Sequence, residues 1–464
     1  MAYDFNVAVL GGGPGGYEAA IRCAQLGLKT CLIEARELGG TCLNRGCIPT
    51  KALLHGAELY ETAKAGGVFG ISGDVKIDYA KLAAFKDDRV SKLVRGVEAL
   101  EKANGVEVIK GFGVVAGPHT IKVGERTVTW DKLILAMGSA PAKPPVPGME
   151  TAYTSDDVLA AKFLVSNVII IGGGVIGLEF ATLFSSLGKK VTIIEMMPEI
   201  LPGCIPEITS KTKAILKKKG VELILGAKVT GVVNGRSVTF EKDGVAGERK
   251  ASAVVVCAGR RPMTRDCGLE TIGLETTRGY VMVDDHLRTA VEDVYAIGDI
   301  SVYDMGGRIA NIQLAHVASA QGMVAAANIA GKDATMRYDR VPACIYTSPE
   351  IAYVGLSEEA AKAKGLEVET GSFNIAANGR CLVMNENTGI VKVVAEKGTG
   401  KLLGCQIMAP RATDMIAEVT AILELGGTVE QLSGVIHPHP TVSEVIAEAI
   451  HDVEGLSVNQ MPKK

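Results

Sequence analysis

One unit of this chain occurs twice. Residues 6–34 read NVAVLGGGPGGYEAAIRCAQLGLKTCLIE, and residues 167–195 read NVIIIGGGVIGLEFATLFSSLGKKVTIIE. Each is an apolar strand, a G-x-G-x-x-G turn, a helical stretch, a second strand and a closing glutamate. Gly16 and Gly177 stand at the same distance, 18 residues, before Glu34 and Glu195. The first glycine (Gly11, Gly172) permits the tight turn. The second (Gly13, Gly174) lets backbone approach a pyrophosphate, and the third (Gly16, Gly177) lets helix pack on strand. Phosphate then sits at the helix N-terminus, where free N–H groups and the helix dipole favour an anion. The glutamate is placed to bind a ribose hydroxyl. A lone glycine fingerprint is a weak signal, but strand, helix and acid around it, twice over, predict two dinucleotide sites.

After Glu195 comes MMPEIL, with no Arg or Lys to pair with a 2′-phosphate. The acid itself would repel one, so the second site is expected to take NAD. Lys+Arg total 49 and Asp+Glu 52, a net charge of −3, which gives no reason to expect nucleic acid or an anionic membrane surface as partner. The most apolar stretch, NVIIIGGGVIGLEFA, is broken by glycines and meets Glu179 too early for a membrane span. The N-terminal residues run straight into a strand pattern without a basic region, so no leader is expected and the cytoplasm is the expected location. Further punctuation divides the chain. DKLILAMGSAPAKPPVPG closes the first unit, ASAVVVCAGRRP the second, and DVYAIGD is another strand ending at Gly298 and Asp299. From RVPACIYTSPEIAYVG onward the pattern becomes strands and long helices without fingerprints. The expected fold is α/β, with two Rossmann-like dinucleotide-binding domains and a C-terminal α+β domain. The expected segments are 1–141, 142–267, a central 268–339, and 340–464.

Between the first fingerprint and the first linker lies GGTCLNRGCIPTK, residues 39–51, with four residues between Cys42 and Cys47. Two thiolates are too few for a structural zinc site, no matching Cys or His pair lies nearby, and no metal is expected. A purely structural disulfide is uncommon in a reducing compartment, which leaves a redox pair as the favoured reading. In an ideal helix residues five apart have Cα atoms about 8.7 Å apart, while a disulfide rarely tolerates more than ~7 Å. The backbone between the two cysteines must therefore depart from an ideal helix, and Gly46 and Pro49 offer ways to do so. A helix beginning there, with Lys51 near its start, would favour a thiolate. Thiols and NAD exchange electrons through a mediator, and a flavin does that work. The first dinucleotide is accordingly expected to be FAD.

The motif GGTCLNRGCIPTK, the two fingerprints, AIGD and HPHPTVSE together resemble the pyridine-nucleotide disulfide oxidoreductases, specifically the dihydrolipoyl dehydrogenases, over essentially the whole chain. The resemblance implies that Cys42 exchanges with dihydrolipoamide and that Cys47 contacts the flavin by charge transfer. It places Lys51 at the flavin's reactive edge, paired with Glu179. That pairing fits the sequence: Ile176 and Leu183 put Glu179 on an apolar helix face, where an unpaired carboxylate is costly. By the same resemblance the FAD site includes Glu34, Gly40, Thr41, Gly138, Ser139, Gly298 and Asp299, with Asp299 on the ribityl chain and Leu314, Ala315 and His316 packed over the flavin. Gly259 and Arg260 join the NAD site. His439, rather than His437, becomes the acid–base group, oriented by Glu444; imidazole is matched to thiol deprotonation near neutral pH. The implied assembly is a homodimer in which the C-terminal domain forms the interface and His439 serves the partner's site. The implied partner is a separate lipoyl-bearing protein of a 2-oxo acid dehydrogenase complex or the glycine cleavage system. The A-T-G usual after the first domain's last strand is Ala136-Met137-Gly138 here. Rival readings are a reductase of another disulfide, disfavoured by the missing NADP-pairing cations, and a docking or electron-carrying subunit, disfavoured by the complete set of thiols and base.

Overall fold

The computed structural model describes residues 3–461. The first fingerprint unit forms β1 (Phe5–Leu10), α1 (Pro14–Gln25) and β2 (Thr30–Glu34). The cysteine segment makes two helices, α2 (Gly40–Arg45) and α3 (Cys47–Lys64). A long α4 (Tyr79–Ala103) leads to β3 (Glu107–Lys110), followed by β4 (Gly113–Gly117), β5 (Thr120–Val123) and β6 (Arg126–Leu135). The sheet order is β3-β2-β1-β6-β5-β4. β1 pairs in parallel with β2 and with the second half of β6, while the first half of β6 pairs antiparallel with β5. β1, β2 and the end of β6 are apolar on both faces, as suits strands covered on both sides.

The second fingerprint repeats this plan with β7 (Asn167–Ile171), α5 (Val175–Ser186), β8 (Lys190–Glu195), β9 (Glu222–Leu225) and β10 (Ala253–Val256). Its parallel order, β9-β8-β7-β10, is the order β3-β2-β1-β6 of the first unit. An antiparallel three-stranded meander over 227–250 stands where β4–β6 stand in the first copy. The chain then returns: β11 (Val294–Ala296) adds in parallel beside β6, and α6 (Ala315–Ile329) packs on α1. The closeness of that helix pair depends on small residues, since a Cβ on Gly15 would lie 2.8 Å from the Ala318 carbonyl oxygen and one on Gly322 2.6 Å from that of Gly15. Residues from 267 to 303 therefore share one core with the first unit.

The C-terminal part is a five-stranded antiparallel sheet, β12 (Ala343–Ile345), β13 (Glu350–Gly355), β14 (Val368–Asn374), β15 (Ile390–Glu396) and β16 (Leu402–Ala409), in the order β12-β13-β16-β15-β14. Helices α7 (Ala412–Leu425) and α8 (Glu444–His451) pack against it around a core of their own. The second unit's core is not closed within its segment. It takes in Leu53, Ala57, Tyr79 and Ala83 of α3 and α4, and Ile345, Ile351 and Met408 of the C-terminal sheet. All three parts thus meet along α3 and α5, where the redox chemistry was expected. Among the described residues no helix is long and apolar enough to cross a membrane.

Candidate active site

The two glycine loops are wired alike. Gly11 and Gly172 have φ of 110° and 115°, which glycine adopts without strain. A side chain there would strike the carbonyl of Ala136 or Cys257 on the neighbouring strand's end, and one on Gly16 or Gly177 would strike the carbonyl of the first glycine. At Gly13 and Gly174 a Cβ would meet nothing within 4 Å, the open approach a pyrophosphate needs. Each closing acid also holds its own loop. Glu34 accepts from Gly12 N at 2.6 Å and Arg36 N at 2.6 Å; Glu195 accepts from Gly173 N at 2.5 Å and Met197 N at 2.7 Å. This second duty of the glutamates has no signature in the sequence beyond their spacing.

The cysteines lie where one helix ends and the next begins. α2 stops at Arg45, Gly46 takes φ −146° and ψ −111°, and α3 starts at Cys47. The break brings the two thiols, both free in this structure, within hydrogen-bonding reach of each other. Their acidities separate. The hydrogen bond from Cys42 holds the Cys47 thiol below its ordinary value, with Lys51 adding to the effect against burial. The same bond, with burial, raises Cys42. The pair therefore ionises first at Cys47, and Cys42 keeps the proton.

Lys51, one turn into α3, donates to both oxygens of Glu179 on α5 at 2.9 Å each. Glu179 is 4% exposed, and its Oε1 also accepts from Tyr346 N at 3.1 Å. The Lys51 ammonium lies 4.3 Å from the centre of the Tyr346 ring. Tyr346 belongs to the C-terminal part and went unmarked in the sequence, where no local motif surrounds it.

These groups line one cavity of about 930 Å³, together with Gly11, Gly13, Gly16, Glu34, Gly40, Thr41, Gly138, Ser139, Gly298, Asp299, Leu314, Ala315 and His316. Gly174, Cys257 and Gly259 of the second unit open onto it as well, whereas Gly172, Gly177 and Glu195 do not line it. The residues fit a flavin dinucleotide: the glycine cradle is open, and the buried Gln313 Nε2 on the cavity wall has no hydrogen-bond partner among the described residues. The second loop, with its open Gly174 and tied Glu195, fits a nicotinamide dinucleotide. Arg260, expected on the NAD side, also holds the first unit. Its guanidinium reaches across to donate to Ser139 Oγ and Ser139 O at 2.7 Å each, and to Thr41 Oγ1 at 3.4 Å. Ser139 in turn donates to the Asp299 carboxylate. A long side chain leaving the second unit thus braces the first unit's cavity. Behind Asp299, buried Gln321 accepts from Gly298 N at 2.6 Å and donates to Ser301 and Tyr338, fixing the 298–300 turn.

His439 is absent from this cavity wall. Its side chain is 79% exposed. Its Nδ1 pairs with Glu444 Oε1 at 2.8 Å, and Glu444 Oε2 accepts from Thr441 N at 2.7 Å. Burial alone would raise the Glu444 carboxyl, but the Thr441 amide and His439 hold it below its ordinary range. His437 differs: its side chain is 8% exposed and bonded to Glu418 at 2.9 Å, which raises its proton affinity. It anchors the loop, leaving His439 free to reach outward.

Residues 5–322 match the family model of the pyridine nucleotide-disulphide oxidoreductases, and residues 341–450 match the dimerisation domain of that family, which supports a homodimer. A dihydrolipoyl dehydrogenase of Bacillus subtilis is 39% identical over 99% of this chain and 100% of that protein. One from Geobacillus stearothermophilus is 40% identical over 100% and 99%, and one from Thermus scotoductus 41% over 96% and 97%. Among solved structures, LpdA from Mycobacterium tuberculosis superposes with a TM-score of 0.87 at 27% identity, covering 96% of this chain and 98% of that one. The HOCl-induced flavoprotein disulfide reductase RclA from Escherichia coli gives 0.84 at 27% identity, covering 96% and 99%. The duplicated dinucleotide units, the paired thiols between them and these matches along the full length agree: the chain belongs to the pyridine nucleotide-disulphide oxidoreductases and is a flavoprotein disulfide oxidoreductase that uses FAD and NAD.

Proposed function

We propose that the chain oxidises a dihydrolipoyl group carried on a separate protein and reduces NAD, with Cys42 as the exchanging thiol and Cys47 as the thiol facing the flavin. The observation that carries this reading is the placing of both thiols on one cavity wall, with the Lys51–Glu179 pair and the first unit's glycine cradle beside them. Starting from the oxidised pair, a substrate thiolate attacks Cys42 Sγ, the Cys42–Cys47 bond breaks, and the bonding electron pair leaves on Cys47. The second substrate thiol then attacks the sulfur bonded to Cys42, closing the substrate disulfide and expelling Cys42 as a thiol. His439 takes the proton of the first attacking thiol, gives it to Cys42 as that sulfur departs, and takes the second thiol's proton, which then leaves to solvent; Glu444 holds the imidazole by its Nδ1. Bound FAD supplies a two-electron acceptor for the Cys47 thiolate and a hydride donor to NAD. Lys51 and Glu179 keep a fixed charge pair beside that sulfur.

Because His439 points to solvent on one chain, the complete site is read as shared between two protomers, each giving its His439 to the other's Cys42. Two-fold symmetry builds two equal sites that way. Glu195, lacking a neighbouring cation, selects NAD over NADP. The domain division at 141, 267 and 339 is part of the same proposal, as is a lipoyl-bearing partner from a 2-oxo acid dehydrogenase complex or the glycine cleavage system. The test is turnover of free dihydrolipoamide with NAD by the purified yellow protein, compared with glutathione and other small thiols. A preference for another thiol, or activity only with NADP, would refute the assignment.

A further inference from the structure

Lys51 is gripped from three sides by three parts of the fold. It rises from α3 of the first unit, is paired with Glu179 on α5 of the second, and lies over the Tyr346 ring from the C-terminal part. The grip is doubled, because the same Tyr346 supplies its backbone N–H to Glu179 Oε1. Ile345, immediately before it, is buried in the core shared with α5. The ring is therefore anchored independently of the lysine. A flexible lysine with only a carboxylate partner can swing about it; an aromatic face on the other side removes that freedom and favours the charged form.

We infer that Tyr346 is a positioning residue for the redox centre: through the face of its ring it fixes the Lys51 ammonium where that charge stabilises the Cys47 thiolate beside the flavin. The inference rests on the proposed roles of Cys47 and Lys51 and adds to them a group from the C-terminal part. The ring acts by its electron-rich face, not by its hydroxyl, and the backbone bond to Glu179 is independent of the side chain. The charged groups around this sulfur are Lys51 and Glu179, with Cys42 as its hydrogen-bond donor.

The experiment uses the FAD-loaded enzyme and three variants: Tyr346→Phe, Tyr346→Leu, and pentafluorophenylalanine placed at 346, which keeps the ring's shape while reversing the charge of its face. Readouts are FAD content, the long-wavelength thiolate-to-flavin absorbance of the two-electron-reduced enzyme, and kcat and KM for dihydrolipoamide and NAD. Tyr346→Phe is expected to match the parent. Tyr346→Leu and the fluorinated ring are expected to weaken the absorbance and lower kcat about three- to ten-fold, the range a partly desolvated cation–ring contact supports, with both KM values within about two-fold. Should Tyr346→Leu not fold, the fluorinated ring alone decides. Parent-like absorbance and kcat in the fluorinated enzyme would overturn the inference, and so would a loss in Tyr346→Phe as large as that in the fluorinated enzyme. A parent enzyme that shows neither the absorbance nor lipoamide turnover would instead refute the proposed function.

Discussion

Glu101 invites a quantitative test. It lies near the end of α4, is 0% exposed, and neither carboxyl oxygen has a hydrogen-bond partner among the described residues. Burial raises its pKa from the ordinary 4.5 to about 8, with no opposing charge to bring it back. Below pH 4.5 the group is protonated whether the chain is folded or not, and contributes nothing to pH dependence. Between 4.5 and about 8 the unfolded chain ionises while the folded chain keeps its proton, so each pH unit removes about 1.4 kcal/mol of stability. From pH 6 to pH 8 the loss is about 2.3 kcal/mol, the slope easing as the folded chain begins to ionise near pH 8. Replacing the acid with an apolar side chain of similar length, Glu101→Met, abolishes this dependence. The variant should therefore gain on the parent as pH rises. With about 2–4 °C per kcal/mol for a unit of this size, the gap between their melting midpoints should widen by roughly 5–10 °C from pH 6 to pH 8. Flavin fluorescence during a thermal ramp of the FAD-loaded proteins at pH 6, 7 and 8 measures it. A constant gap, or a parent that gains on the variant with pH, would refute the reasoning.

Four further outcomes are expected. Cys42→Ser and Cys47→Ser should each abolish lipoamide turnover while FAD stays bound, read from kcat and the visible spectrum together; substantial turnover in either would remove the pair from the reaction. kcat/KM should favour NAD over NADP, and Glu195→Ala should narrow the ratio; an unchanged ratio would take discrimination away from that carboxylate. Mixing the inactive Cys42→Ser and His439→Ala chains should restore activity on subunit exchange, because each heterodimer then has one intact site; no recovery from demonstrated heterodimers would mean that each chain completes its own site. Lys51→Met and Glu179→Gln should be non-additive in the rate of flavin reduction, as groups in contact are, and simple additivity would uncouple them.

What was legible in the sequence was local and repeated. The two fingerprints could be read because turn, helix and acid sit at fixed spacing, and the structure gives both copies the same strand order. Glu179 betrayed a partner because a carboxylate on an apolar helix face demands one, and Lys51 meets it. The break at Gly46 was foreseeable from the mismatch between helix geometry and disulfide reach. Other features depend on long-range placement. Arg260 follows the last strand of the second unit, so its sequence neighbours point to NAD, yet its side chain spans the gap to Ser139. Tyr346 has no motif around it, and only the convergence of three parts of the fold gives its ring a charge to face. Glu101 sits in VEALEKA, which reads as a solvated helix face. Packing against the first unit's core, unseen in a linear pattern, buries it.

The glutamates that close the fingerprints tie coenzyme choice to loop shape. Glu195 is the carboxylate proposed to bind the ribose, and it is also the staple between Gly173 N and Met197 N. Exchanging it for a small neutral residue to admit a 2′-phosphate would free two backbone donors, Gly173 N in the turn that must cradle the pyrophosphate and Met197 N just after β8. Selectivity and preorganisation would then be lost in the same step. Acceptance of NADP in this scaffold accordingly calls for a paired change, a cation introduced at Met196 or Met197 together with a neutral side chain at 195 whose carbonyl oxygen can still accept from one of the two amides. Glu195→Gln with Met197→Arg should show it as a rise in kcat/KM for NADP larger than that from either substitution alone. Equal gains from Glu195→Ala and Glu195→Gln in that background would show that the staple is dispensable.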